Sequence, residues 1–336
     1  VILLRLRVFR ARLYFLFMEN CSELKSENLK LESLFPCRPF LLFPLCVRHH
    51  SVLVDLSPLE IRRAVRAALA EDIGGGDVTT LAIVPAAARS VAYMNARQPL
   101  VVAGLEFARW AFRERSAKIQ VTKMAGDGRR VRAGEPLLKI SGSSRAILGA
   151  ERVALNFVQR LSGVATLTAQ FADAVRGTRA RILDTRKTTP GWRRFEKFAV
   201  ACGGGKNHRL GLYDMVLIKD NHLVALRGEK PNAIAAAVTR ARAKFPSLPV
   251  EVEADTLAQV AQAADAGADI ILLDNMTPSQ LRAAVRIVRH RAKTEASGGV
   301  SLKTVRAIAT TGVDFISIGV ITHSAPAVDI GLDFEA

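Results

Sequence analysis

The sequence predicts an α/β fold: a reduced or open α/β barrel with a further domain appended at its N-terminus. Three observations carry this expectation. Short apolar runs recur at residues 181–183, 215–218, 249–252, 270–273 and 315–318, as buried parallel strands do. Alanine-rich stretches with helical spacing lie between them, at 232–244, 256–266, 278–291 and 302–311. A polar residue or a glycine follows each run: Asp184, Lys219, Glu253, Asp274 and Gly319, with Ser297-Gly298-Gly299 in the matching place before residue 302. These make about six strand–helix units, too few for a closed eight-stranded barrel, whose active site forms where strand ends converge.

Composition narrows the function class. Of 336 residues 49% are hydrophobic and 24% charged, which excludes a disordered chain. No apolar stretch approaches the roughly 18 residues of a membrane span. Four cysteines without paired spacing argue against a disulfide framework or a zinc site. The 48 basic against 31 acidic side chains give +17, which predicts an anionic partner: nucleic acid, lipid head groups or a phosphorylated substrate.

Residues 1–54 differ from the rest. Arg5, Arg7, Arg10 and Arg12 interrupt the apolar residues, so no continuous signal-peptide core exists, and Cys21, Cys37 and Cys46 lie here with His49 and His50. A targeting or membrane-surface segment competes with a disordered tail or a stretch read from a misplaced start. From residue 55 an N-terminal domain is expected to run to 165. Ser57-Pro58 with Glu60 predicts a helix start, continued by Ile61, Val65, Ala68 and Leu69. Residues 71–77 then read as a flexible loop. Residues 90–140 alternate like strands, with turns at Gly126-Asp127-Gly128 and Ala133-Gly134-Glu135, and look like scaffolding; the glycines there are no dinucleotide fingerprint. Helical spacing returns at 150–161 and 166–175, the barrel domain being expected over 166–320 and a returning segment over 321–336.

Two clusters carry chemistry. Asp184-Thr185-Arg186-Lys187-Thr188-Thr189-Pro190-Gly191, Gly203-Gly204-Gly205-Lys206-Asn207-His208-Arg209 and Lys219-Asp220-Asn221-His222 place Arg186, Lys187, His208, Arg209 and Lys219 near two strand ends. Arginine forks match carboxylates bidentately and lysine acts as a point charge, so this set reads as a receptor for a small ligand with more than one negative group. The second cluster is Glu253 and Asp274. These hard carboxylates suit Mg²⁺ beside a phosphate site, directly or through water, or hydrogen bonds to ribose hydroxyls. Ser297-Gly298-Gly299, opening a helix, is expected to seat phosphate on backbone N–H groups, and Gly319 with His323 to add a contact. Cys202 reads as a small buried thiol, and Trp110 and Trp192 as packing residues.

On these motifs, together with Glu71-Asp72-Ile73-Gly74-x-Gly76-Asp77-x-Thr79-Thr80 and Asn156-x-x-x-Arg160-Leu161-Ser162-Gly163, the sequence resembles the quinolinate phosphoribosyltransferases of NAD biosynthesis from about residue 56 onward. The resemblance implies an N-terminal α/β sandwich domain plus an open α/β barrel, in a homodimer or larger homo-oligomer. It implies a quinolinate pocket of Arg186, Lys187, His208, Arg209 and Lys219, with Arg152 reaching across from the partner subunit. Phosphoribosyl pyrophosphate is then met by Glu253, Asp274, Ser297, Gly298, Gly299, Gly319 and His323, with Mg²⁺ at Glu253 and Asp274. Lys187, Lys219, Glu253 and Asp274 are the implied catalytic residues. The implied setting is cytoplasmic, with no nucleic-acid or membrane partner. Trp192 after Pro190-Gly191 departs from the family, as does the tail. A paralogue acting on another acceptor fits the intact motifs less well. A nucleic-acid binder would need a contiguous basic stripe with stacking aromatics, and aromatics are only 6%.

Overall fold

The computed structural model describes residues 54–335. The readings made for residues 1–53 lie outside them. The first helix, α1 (Pro58–Ile73), starts as the sequence predicts: the Ser57 side chain accepts the Glu60 N–H at 3.2 Å and Pro58 opens the first turn. Ile61, Val65 and Leu69 form its buried face, and it stops at Gly74, whose φ of 47° a side chain would resist. The predicted loop is shorter than expected. Asp77 accepts the Thr80 N–H at 2.9 Å and so caps a further helix, α2 (Val78–Ile83).

The stretch 90–140 is not all strand. Strands β1 (Arg89–Ala96) and β2 (Leu100–Val101) are followed by a helix, α3 (Leu105–Arg115). Its buried residues Leu105, Phe107, Ala108, Ala111 and Phe112 recur at helical spacing, a period that the flanking alternation hides. Strands β3 (Gln120–Lys123), β4 (Arg130–Val131) and β5 (Pro136–Ser143) complete the segment. β5 pairs antiparallel with both β1 and β3.

One 31-residue helix, α4 (Ser144–Ala174), replaces the two predicted helices. Ser162-Gly163 does not break it, because both residues are there for packing. The Ser162 hydroxyl accepts the Ala103 N–H at 2.9 Å. A Cβ on Gly163 would lie 2.0 Å from the Pro326 carbonyl oxygen, so only glycine admits that approach. Phe157 on α4 stacks on Phe107 of α3 at 4.8 Å, and burying each such ring stabilises the unit by roughly 1.5–3 kcal/mol.

The remaining elements alternate. They are β6 (Arg181–Leu183), α5 (Arg193–Cys202), β7 (Val216–Ile218), α6 (Asp220–Val224), α7 (Ala233–Lys244), β8 (Val250–Ala254), α8 (Leu257–Asp265), β9 (Ile270–Asp274), α9 (Pro278–Val288), β10 (Lys293–Ser297), α10 (Val305–Ala309), β11 (Phe315–Ser317) and α11 (Val320–His323). β12 (Ile330–Phe334) then pairs antiparallel with β1. α9 ends earlier than predicted, because Arg289 turns into the left-handed region at φ 50°. α10 is a remnant of the predicted 302–311 helix. β10 went unread as a strand because Lys-Thr-Glu-Ala-Ser has no apolar run.

The six strands form one parallel sheet in the order β6-β11-β10-β9-β8-β7. In a closed barrel β6 would pair with β7; here it pairs with the last strand, β11, and the barrel stays open between β6 and β7. Residues 184–215 fill that gap. Trp192 leads into α5 and packs as expected, stacked on Phe157 at 5.0 Å and edge-on to Phe195 at 5.9 Å. Trp110 lies under the Arg62 guanidinium at 4.5 Å.

Candidate active site

Strand geometry alone sorts the side chains. Successive residues point to opposite faces, and Val250, Val252, Ala254, Ile271, Leu273, Ala296 and Ile316 are buried on the face that meets the helices. The alternate set, Leu217, Lys219, Glu253, Leu272, Asp274, Glu295, Ser297 and Ser317, lines a cavity of about 410 Å³. Register explains the company they keep: Leu272 is paired with Glu253 on one side and Glu295 on the other, and Asp274 with Ser297. A barrel interior is normally apolar, so a polar inner face marks a site.

The rest of the lining comes from the segment in the gap. Thr185, Arg186 and Lys187 follow β6, and His208 and Arg209 precede β7. A buried network fixes both. Asp184 and Lys197 are fully buried and paired. Asp184 also accepts the Asn207 side-chain N–H at 2.7 Å and the His208 backbone N–H at 2.8 Å, while Lys197 donates to the His208 carbonyl at 2.9 Å. Burial raises the Asp184 pKa, with Lys197 opposing, and lowers that of Lys197, with Asp184 opposing. A second network holds the 185–190 turn. Buried Glu196 accepts from the Thr189 backbone at 3.0 Å and hydroxyl at 2.8 Å and pairs with Arg160 at 2.7 Å.

Among the described residues Arg186 and Lys187 make no ion pair, whereas His208 faces Glu251 and Glu295. Arg186 Nε is buried without a hydrogen-bond partner. Burial, then the charge of Arg186, lowers the pKa of Arg209, with Glu251 and Asp214 opposing, and its own hydrogen bond goes to the Met215 carbonyl at 3.3 Å. Lys219 pairs with Glu253 at 2.5 Å, and Asp274 accepts from Asn275 at 2.6 Å. His208 uses both ring nitrogens: Nδ1 accepts the Arg209 N–H at 2.7 Å, and Nε2 lies 3.1 Å from Glu251 and 3.6 Å from Glu295.

The structure thus brings Arg186, Lys187, His208, Arg209, Lys219, Glu253, Asp274 and Ser297 to one cavity. Gly319 borders it through Lys187: a Cβ there would stand 3.0 Å from Lys187 Cδ and 3.2 Å from His323 Nε2. His323 itself is exposed, with Nδ1 2.5 Å from the Ser324 hydroxyl. Arg152 is exposed on α4 and does not line the cavity of its own chain. One expectation is corrected. Ser297-Gly298-Gly299 does not open a helix, because α10 begins only at Val305. Gly298 and Gly299 take φ of 91° and 60°, a left-handed turn that lies well before the first residue of α10. Any anion held there meets the N–H groups of a glycine turn rather than a helix terminus. A Cβ on Gly298 would lie 2.1 Å from Asn275 Oδ1, so the turn is closed against the β9 end.

Sequence reasoning missed Glu295, Glu251 and Lys197. Glu251 was legible, since Glu251-Val252-Glu253 puts both carboxylates on one face. Glu295 required β10 to be seen as a strand, and Lys197 required its burial. Cys202 is half-buried and burial pushes its thiol up to about 12, so it stays protonated, as expected of a packing residue. Among the described residues no helix is long and apolar enough to cross a membrane.

Comparison with known proteins identifies the family. Residues 77–162 match the family described as quinolinate phosphoribosyl transferase, N-terminal domain, and residues 164–333 its C-terminal domain. The nicotinate-nucleotide pyrophosphorylase [carboxylating] of Mycobacterium leprae is 44% identical over 278 residues, 81% of this chain and 96% of that protein. The chloroplastic protein of the same name from Arabidopsis thaliana is 42% identical, over 82% of this chain and 83% of its own. The solved nicotinate-nucleotide pyrophosphorylase of Francisella tularensis superposes with a TM-score of 0.79 at 38% identity, covering 84% of this chain and 99% of that one. With its parallel, incompletely closed barrel and its separate antiparallel sheet, the chain belongs to the quinolinate phosphoribosyltransferase family.

Proposed function

We propose that this cavity transfers the phosphoribosyl group of phosphoribosyl pyrophosphate to quinolinate with loss of CO₂, giving nicotinate mononucleotide and pyrophosphate. The chain is a pentosyltransferase of NAD biosynthesis. One observation carries the reading of the pocket: Arg186 and Arg209 repel one another in a half-closed site, and the buried Arg186 Nε has no partner. Two guanidinium groups held together, one with a buried unpartnered Nε, suit a ligand with more than one negative group better than a monocarboxylate.

Arg186, Arg209 and Lys187 grip the two carboxylates of quinolinate and set the pyridine nitrogen towards the β8 and β9 strand ends. Glu253 and Asp274 face the ribose there, where negative charge stabilises the positive charge that develops at the anomeric carbon as pyrophosphate leaves. The Ser297-Gly298-Gly299 turn, Gly319 and His323 hold phosphate oxygens. Lys219 leaves Glu253 for an anionic substrate group when the site fills. The nitrogen bonds to the anomeric carbon; the resulting pyridinium then accepts the electron pair left as the adjacent carboxylate departs as CO₂, and that carbon takes a proton. The protein contributes position and charge, and uniform grip on the departing carboxylate would not speed its loss.

The donor set fits Mg²⁺: two carboxylates on adjacent strand ends, both open to the cavity, match an ion that keeps waters and bridges to substrate phosphates. Bound at Glu253 and Asp274, it would neutralise pyrophosphate. We assign the exposed Arg152 to the cavity of a partner subunit in a homodimer or larger assembly, and the enzyme to the cytoplasm. Incubation with quinolinate, phosphoribosyl pyrophosphate and Mg²⁺ should release nicotinate mononucleotide and CO₂ in equal amounts. Omission of any one component should abolish both. Undiminished product without Mg²⁺, or equal turnover of nicotinate, would contradict the assignment.

A further inference from the structure

Beneath the cations of the cavity lies a group of charges that the mechanism does not use. Glu295 on β10 and Glu251 on β8 are fully buried, and none of their four carboxylate oxygens has a hydrogen bond of good geometry. His208 Nε2 stands between them, and the ligating atoms of all three lie within 4.8 Å of one another. Glu295 also lines the substrate cavity; Glu251 does not. Two buried carboxylates that share a single imidazole are unfavourable unless a proton neutralises one of them. Their position is costly for function too, because two negative charges below a dianion site oppose the ligand the site is built for.

We infer that Glu295 is a specificity-determining residue that carries a proton when the dianionic substrate is bound, so that quinolinate binding takes up a proton at the Glu295–His208 pair. The location of that proton follows from hydrogen bonding. Nδ1 of His208 accepts the Arg209 N–H, which fixes the ring proton on Nε2 and opposes a second one. Burial lowers the pKa of His208, but the charge of Glu295 and the hydrogen bond and charge of Glu251 outweigh it and raise it to about 9, with Lys197 opposing. The Arg209 N–H aimed at Nδ1 shifts the extra proton to the carboxyl side. There burial, then the charge of Glu251, pushes Glu295 up to about 8, with His208 and Ser317 opposing and Asp184 adding to the rise. The groups facing the pair are Glu251, Asp184, Lys197 and Ser317, with Arg186 and Arg209 above. An arriving dianion adds negative charge and raises the proton affinity further.

Neutral Glu295 leaves the pocket one unit more positive and therefore favours two carboxylates over one. With each proton taken up, affinity falls up to about tenfold per pH unit above the pKa. The inference rests on the assignment of this cavity to quinolinate, and calorimetric titration of the full chain separates the two. Quinolinate is titrated at pH 7 to 9 in pairs of buffers with different ionisation enthalpies. Wild type should show a buffer-dependent heat equivalent to a substantial fraction of a proton around pH 8. In Glu295→Gln the uptake should disappear and the affinity at pH 9 should stay near its pH 7 value. Binding by wild type without proton uptake anywhere in this range would overturn the inference, even if the variant did not fold. Undiminished uptake in Glu295→Gln would overturn it too. No binding of quinolinate at all would instead remove the pocket assignment beneath it.

Discussion

Two buried charged clusters flank His208, and they differ in one respect. On one side Asp184, Lys197 and Asn207 satisfy each other, with Asp184 accepting from Lys197, Asn207 and the His208 backbone. On the other, Glu251 and Glu295 keep every carboxylate oxygen without a well-formed hydrogen bond. The closed cluster is scaffold: its charges cancel, and its geometry holds the loop that carries His208 and Arg209. The open cluster borders a cavity in which the buried Arg186 Nε also has no hydrogen-bond partner. Charge that the protein leaves unpaired in a buried place is the charge it keeps for a ligand or a proton.

The largest effect should come from breaking the closed cluster. Lys197→Met leaves Asp184 buried without its counter-ion and should cost about 3–5 kcal/mol in chemical unfolding. A loss below about 1 kcal/mol would mean that the loop is held by something else. The open cluster should behave in the opposite way. Glu295 has a folded-state pKa raised above its ordinary value, so the native state holds more protons than the unfolded chain between the two values. Its stabilising contribution is full below pH 4.5 and is lost as pH rises through about 8. Thermal unfolding of wild type should therefore weaken from pH 6 to 8.5 relative to Glu295→Gln, on the order of 1 kcal/mol per pH unit. Parallel curves would sever Glu295 from the pH response. The smallest effect belongs to a solvated pair. Arg240 meets Glu229 at 2.6 Å on the surface, and Arg240→Ala should change unfolding by less than about 0.5 kcal/mol.

The same contrast explains what was legible in the sequence. The parallel strands at 181–183, 270–273 and 315–318 announced themselves because both faces of such a strand are usually apolar. β10 did not, because its inward residues are Glu295 and Ser297 and only Ala296 carries an apolar face. Arg186, Lys187, Arg209 and Lys219 were readable because each sits just past a strand or beside a glycine turn. Glu251, Glu295 and Lys197 owe their roles to burial, which depends on neighbours distant in sequence. The unbroken α4 illustrates the same limit: Gly163 looks like a helix breaker until Pro326 is seen against it.

The central claim is that Arg186 and Arg209 hold the two carboxylates of quinolinate. The direct measurement is kcat/KM for quinolinate in Arg186→Ala and Arg209→Ala, with unfolding followed in the same preparations. Each variant should lose at least about a hundredfold, or roughly 2.7 kcal/mol of transition-state stabilisation, while unfolding as wild type does. Near-normal turnover in both folded variants would contradict the account.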